Sequence, residues 1–137
     1  MDRLKTMAGD IHLYNAGLPH FPRNFARDSI ISAMIMNDPE ILKNQLVFSA
    51  LRQGKKQDPF TGEEPGKIFH EFPGVIIGSH STAYSACDTT ALFLIGHHHY
   101  QQITGDNSLK DDHLPNLLGA VDYIKSHLVD GLFYENP

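Results

Sequence analysis

The sequence predicts an all-α fold, and three observations carry that prediction. Four segments have helical punctuation, nearly dry helices alternate with half-wet ones, and the pattern returns after 60 residues. A dry helix followed by an amphipathic one is what two concentric helical layers demand, the dry ring inside and the other outside.

The first helix opens at Asp28, a good N-cap, and continues through Ser29, Ile30, Ile31, Ala33, Met34, Ile35 and Met36. It is apolar nearly all round, so it must be buried on most sides. The second has Asn37 and Asp38 as caps, Pro39 in its first turn and Glu40 at the positive end of the helix dipole. It carries Leu42, Leu46 and Leu51 and is expected to stop at Gly54. A connection over residues 53–84 follows, broken by Pro59, Gly62, Pro65, Gly66, Pro73, Gly74 and Gly78. Ordinary connections run to about 4–6 residues, so one this long is a candidate functional loop. Ile68, Phe69, Phe72, Val75, Ile76 and Ile77 make it too apolar for a free linker. It is expected to fold back over the helix ends, with a short strand near Ile68 or Val75.

The third helix starts at Asp88, has Thr89 and Thr90 in its first turn and an apolar run from Ala91 to Ile95, and stops at Gly105. The fourth runs from Leu114 or Pro115 to Leu128, with Leu114, Leu117, Leu118, Val121, Ile124 and Leu128 as one apolar stripe. Asp28 and Asp88 therefore open equivalent inner helices of two helical hairpins. Two such units cannot bury their own apolar faces, so more chain or self-association is expected to complete the structure.

A net charge of -5, with no basic run beyond Lys55 and Lys56, leaves no footprint for nucleic acid or an anionic membrane. No stretch approaches the ~18 apolar residues of a membrane span. The single cysteine, Cys87, excludes an intramolecular disulfide and fits a reducing compartment, so a cytoplasmic location is expected. Three consecutive imidazoles, His97 to His99, point about 100° apart on a helix and cannot converge on one ion. No metal or organic cofactor is expected, and no His/Asn arrangement marks Cys87 as a nucleophile.

Three segments carry a family resemblance. Residues 17–29, GLPHFPRNFARDS, lead through aromatics into Arg27 and Asp28; residues 58–71, DPFTGEEPGKIFHE, contain Lys67, His70 and Glu71; residues 84–93, YSACDTTALF, join Tyr84 to Asp88. In order and spacing they resemble the amylo-alpha-1,6-glucosidase and glucoamylase-like glycoside hydrolases. The resemblance implies the first third of a six-hairpin (α/α)6 barrel, making residues 1–137 an incomplete N-terminal portion of its catalytic domain. It also implies inverting hydrolysis of terminal α-glucosidic bonds in glycogen, α-glucans or oligosaccharides. Asp88 then matches the general acid, with Arg27 and Asp28 holding the terminal sugar. His70 and Glu71 close over it, Lys67 contacts its rim, and Tyr84 and Phe25 form aromatic walls.

Simpler readings stand beside these roles. Asp28 and Asp88 are each good N-caps, Lys67 suits a solvated surface, and Tyr84 and Phe25 suit a core. A helix N-terminus also favours a charged carboxylate, so an acid at Asp88 needs something to raise its pKa. These families usually have a tryptophan before the Arg-Asp pair; Phe25 and Ala26 stand there instead. Inversion needs a second carboxylate as base, roughly 6.5–9.5 Å from the acid, and no segment matches it. Other functions compatible with these motifs are a trehalase-like exo-glucosidase and a non-catalytic helical protein that binds sugar or a partner.

Overall fold

The computed structural model describes residues 5–8, 11–17 and 19–135, the first four by backbone alone. It corrects the all-α expectation, and with it the partial (α/α)6 barrel: among the described residues, five helices are interleaved with four two-stranded antiparallel ribbons. The ribbons pair β1 (Lys5–Ala8) with β2 (Ile11–Tyr14), β3 (Asn24–Phe25) with β4 (Glu71–Phe72), β5 (Ile76–Ile77) with β6 (His80–Ser81), and β7 (Leu128–Val129) with β8 (Leu132–Phe133). The helices are α1 (Ala26–Ile35), α2 (Pro39–Leu51), α3 (Thr89–Thr104), α4 (Ser108–Asp112) and α5 (Leu114–Ser126).

The reason for the correction is local. Asp130 and Gly131 both have positive φ, 52° and 80°, the signature of a tight hairpin turn between β7 and β8. Gly78, at φ 61°, likewise turns β5 back onto β6. Strands therefore form near Val75, as expected, and also outside the long loop.

The helix starts differ in instructive ways. Asp38 caps α2 as the sequence suggests, accepting the Ile41 N–H at 3.0 Å, with Pro39 in the first turn. α1, however, begins at Ala26, with Phe25 as the capping residue and no side-chain cap. Its first N–H is satisfied by the His70 carbonyl at 2.9 Å, so the β3–β4 ribbon does the work expected of Asp28. Asp28 lies inside the first turn. Gly54 does not end α2; its N–H bonds the Lys67 carbonyl at 2.8 Å and its carbonyl accepts from Gly66 at 2.9 Å, pinning the loop. Gly105, with φ 72°, does end α3 and bonds the Gln101 carbonyl at 2.8 Å.

The core lies where α1, α2 and α3 meet, with Ile30, Leu42, Leu46 and Phe93 all buried. Gly96 makes this approach possible, because a Cβ there would lie 3.0 Å from Leu46 Cδ2 and 3.3 Å from Ile30 Cγ2. The long loop is tied in through its backbone: Ile68 N–H donates to the Thr90 hydroxyl at 3.0 Å, and the Thr89 hydroxyl donates back to the Ile68 carbonyl.

α5 departs most from expectation. Its buried residues are Ala120 and Tyr123, while Leu114 and Leu118 of the expected stripe are 52% and 57% exposed. The helix docks through small residues and amides instead. A Cβ at Gly66 would overlap the Gly119 carbonyl, and Gln53 exchanges hydrogen bonds with Asn116 through side chain and backbone, each 2.8 Å.

Candidate functional site

The β3–β4 ribbon pairs Phe25 with Glu71 and so brings His70 to the N-terminus of α1. Beside it lies the N-terminus of α3. Arg27, in the first turn of α1, spans the two: its Nη1 donates to Asp88 Oδ2 at 3.1 Å, and its Nε lies 3.8 Å from Asp28 Oδ2. The His70 ring stands edge-on to Phe25, with centroids 5.1 Å apart. Phe25, Arg27, Asp28, His70 and Asp88, drawn from three separate motifs, thus converge on one mouth.

The electrostatics follow from this arrangement. The hydrogen bond to Asp88 raises the Arg27 pKa against the opposing effect of burial, and both carboxylates reinforce the rise. Burial lowers the His70 pKa below its ordinary value, and Arg27 pushes the same way while Glu71, Asp28 and Asp88 oppose it. His70 is thereby kept a neutral donor and acceptor near neutral pH. Two buried polar atoms at the mouth, His70 Nδ1 and Asp88 Oδ1, have no hydrogen-bond partner among the described residues. Asp88 occupies the N-cap position of α3, yet its side chain bonds no backbone amide there.

The remaining candidates lie elsewhere. Glu71 is buried, paired with Arg23 at 3.1 Å and accepting the Thr82 hydroxyl, so it anchors the ribbon. Lys67 departs from the solvated reading: it is 2% exposed, with its ammonium 2.7 Å from Glu135. Tyr84 donates its hydroxyl to the Arg52 carbonyl at 2.7 Å, and burial first, then Glu63, pushes its pKa up to about 12. Lys67 and Tyr84 both line a cleft of about 670 Å³, together with Glu64, Phe60 and Glu135. His127 Nε2 lies 3.2 Å from Glu64 Oε2. The sequence carries no signal for Arg23, His127 and Glu135, because each is made relevant by a partner distant along the chain.

Of the histidine run, His97 turns inward. Its Nδ1–H bonds the Phe93 carbonyl at 2.9 Å and its Nε2 faces His113 Nδ1 at 3.0 Å, while burial first, opposed by the Phe93 bond, pulls its pKa down to about 4. Among the described residues no cluster of three or more His, Cys, Asp or Glu side chains is placed to hold a metal ion. Cys87 is exposed beside Asp88. No described helix is long and apolar enough to cross a membrane.

No protein-family model matches this chain, and no curated protein matches it.

Proposed function

We propose that the joined N-termini of α1 and α3 bind the terminal glucose of an α-glucan or oligosaccharide, as part of a site that hydrolyses α-glucosidic bonds with inversion. The observation that carries this reading is the convergence of Arg27, Asp28, Asp88 and His70 around two unpartnered polar atoms. A vicinal diol presents donors and acceptors side by side. Carboxylates at Asp28 and Asp88 accept its O–H groups, the Arg27 guanidinium donates to its oxygens, and such charge-assisted bonds are the stronger kind. The Phe25 ring offers a flat apolar surface to the C–H face of the sugar. The resemblance of all three motifs to glucoamylase-like enzymes points the same way.

In the hydrolytic step Asp88 serves as the general acid, its proton passing to the leaving glycosidic oxygen. A guanidinium stabilises a charged carboxylate, so this role requires the arriving hydroxyls to draw Arg27 away from Asp88. The opposing carboxylate, which activates water roughly 6.5–9.5 Å away, is not assigned to any residue here. The Arg27–Asp88 ion pair therefore makes sugar binding the first event to test.

Titration of the chain with glucose, followed by amide chemical shifts, is expected to move the resonances of residues 25–28, 70 and 88. Charged hydrogen bonds contribute about 1.5–3 kcal/mol, so Arg27→Ala should weaken binding roughly 10- to 100-fold. Equal affinity in the folded Arg27→Ala variant would sink the reading.

A further inference from the structure

We propose that the His97–His113 pair is an acid-sensitive latch, which holds the joint between α4 and α5 against α3 and releases it, ahead of the core, when the pair takes up a second proton. His97 lies about two and a half turns along α3 from Asp88, so the latch stands whether or not the mouth binds sugar. The hydrogen bonds fix where the protons are. His97 Nδ1–H donates to the Phe93 carbonyl at 2.9 Å, which leaves Nε2 with a lone pair, and His113 Nδ1–H donates to that lone pair across 3.0 Å. One added proton is accommodated, because an imidazolium at the less buried His113 still donates from Nδ1. A second sets N–H against N–H, both rings charged and no lone pair between them. The bond then breaks.

His113 closes α4 and opens α5: its N–H donates to the Leu109 carbonyl at 3.1 Å and its carbonyl accepts the Leu117 N–H at 2.9 Å. α4 is five residues long and its buried residue is Leu109, so the imidazole bond is a large part of what fixes it. A cavity of about 190 Å³ beside the pair, lined by Leu94, His97, His98, Gln101, Lys110 and Leu117, gives water a place from which to hydrate a charged ring. Lys110 of α4 brings a further positive charge to that cavity, while the Asp112 carboxylate favours a charged His113. From α3 itself His98 shares the cavity, and α5 contributes Leu117. α1 and α2 meet α3 at Gly96 through the apolar Ile30, Leu42 and Leu46, and the Gln53–Asn116 bonds hold α5 on its other side, so core and α5 stay in place when the joint lets go. Burial, opposed by the Phe93 bond and aided by the His113 charge, holds His97 down at about 4. An opened joint returns it toward 6.5, so the open form binds the extra proton between these values and acid favours opening.

The test is amide hydrogen exchange of the full chain, read by NMR as protection factors at pH 7 and pH 4.5. The His113 and Leu117 amides are expected to lose protection roughly 10- to 100-fold on acidification, while the core amides of Leu46 and Phe93 keep theirs. In the same samples the imidazole nitrogens should titrate in two steps, His113 first and His97 second. His97→Gln and His113→Gln each remove one of the two proton sites, and either is expected to flatten the acid dependence at the joint, whatever its protection at pH 7. If one variant fails to fold, the other carries the comparison. Protection at the joint that does not change with pH in the wild type overturns the latch. A loss shared equally by joint and core overturns it too, since that is ordinary acid unfolding, and so does a fall of wild-type size in a folded Gln variant.

Discussion

Two ion pairs of similar length do different work in this protein. Arg27 and Asp88 meet at 3.1 Å with side chains 42% and 41% exposed; Lys67 and Glu135 meet at 2.7 Å with the lysine side chain only 3% exposed. An exposed pair contributes at most about 1 kcal/mol and exchanges its partner for a ligand at little cost. Breaking a buried pair leaves a charge without water, at about 3–5 kcal/mol, and the partial exposure of Glu135 lowers that figure here. Position decides whether a pair holds the fold or can exchange its partner.

The largest losses of stability are expected in the scaffold. Gly66→Ala places a Cβ into the Gly119 carbonyl and forces a side chain onto φ 86°, so a loss on the order of 4 kcal/mol is expected in urea denaturation. A loss under about 1 kcal/mol would show that α5 does not dock as described. Lys67→Ala is expected to cost about 3 kcal/mol by the same measurement. If it proves as mild as an exposed pair, the contrast between the two sites disappears.

Acid sharpens the distinction through His97. Its pKa falls from 6.5 unfolded to about 4 folded, so between these values the unfolded chain binds the extra proton and the native state does not. The His97 contribution is complete above about pH 6.5 and declines toward pH 4, with an upper bound of roughly 3 kcal/mol. Denaturation midpoints measured at pH 7 and pH 4.5 should fall less in His97→Gln than in the wild type. The smallest effect belongs to the mouth: Arg27→Ala should change stability by less than about 1 kcal/mol. Its signature is lost sugar binding in a protein of nearly unchanged midpoint.

Several elements were legible because their causes are local. Asp38 followed by Pro39 marks the start of α2, and Gly105 marks the end of α3, since cap and stop lie next to the helix they serve. The N-cap of the first helix lies three residues before Asp28, at Phe25, because the first helical N–H, on Ala26, is satisfied by the His70 carbonyl, 44 residues further along the sequence. The face of α5 was misread for a related reason. Leucine periodicity reports where an apolar face can form, but the docking is set by Gly66, Gly119 and the Gln53–Asn116 amides, which carry no periodic signal. The ribbon at Asp130 and Gly131 had a readable turn signal that the helical pattern overshadowed. In the site, the three motifs did bring Phe25, Arg27, Asp28, His70 and Asp88 to one place, whereas Lys67 and Tyr84 belong to the neighbouring cleft. Motif order along the chain contains no information on which members share a surface.

The half-exposed Arg27–Asp88 pair is proposed as the place where a terminal glucose is held. The most direct measurement is a crystal structure of the chain with maltose. The expected result is the non-reducing glucose at the mouth, its vicinal hydroxyls on Arg27 and Asp28, Phe25 against its ring, and an Asp88 oxygen within hydrogen-bonding reach of the glycosidic oxygen. An ordered maltose bound elsewhere, with the 3.1 Å Arg27–Asp88 bond intact and the mouth empty, would contradict it.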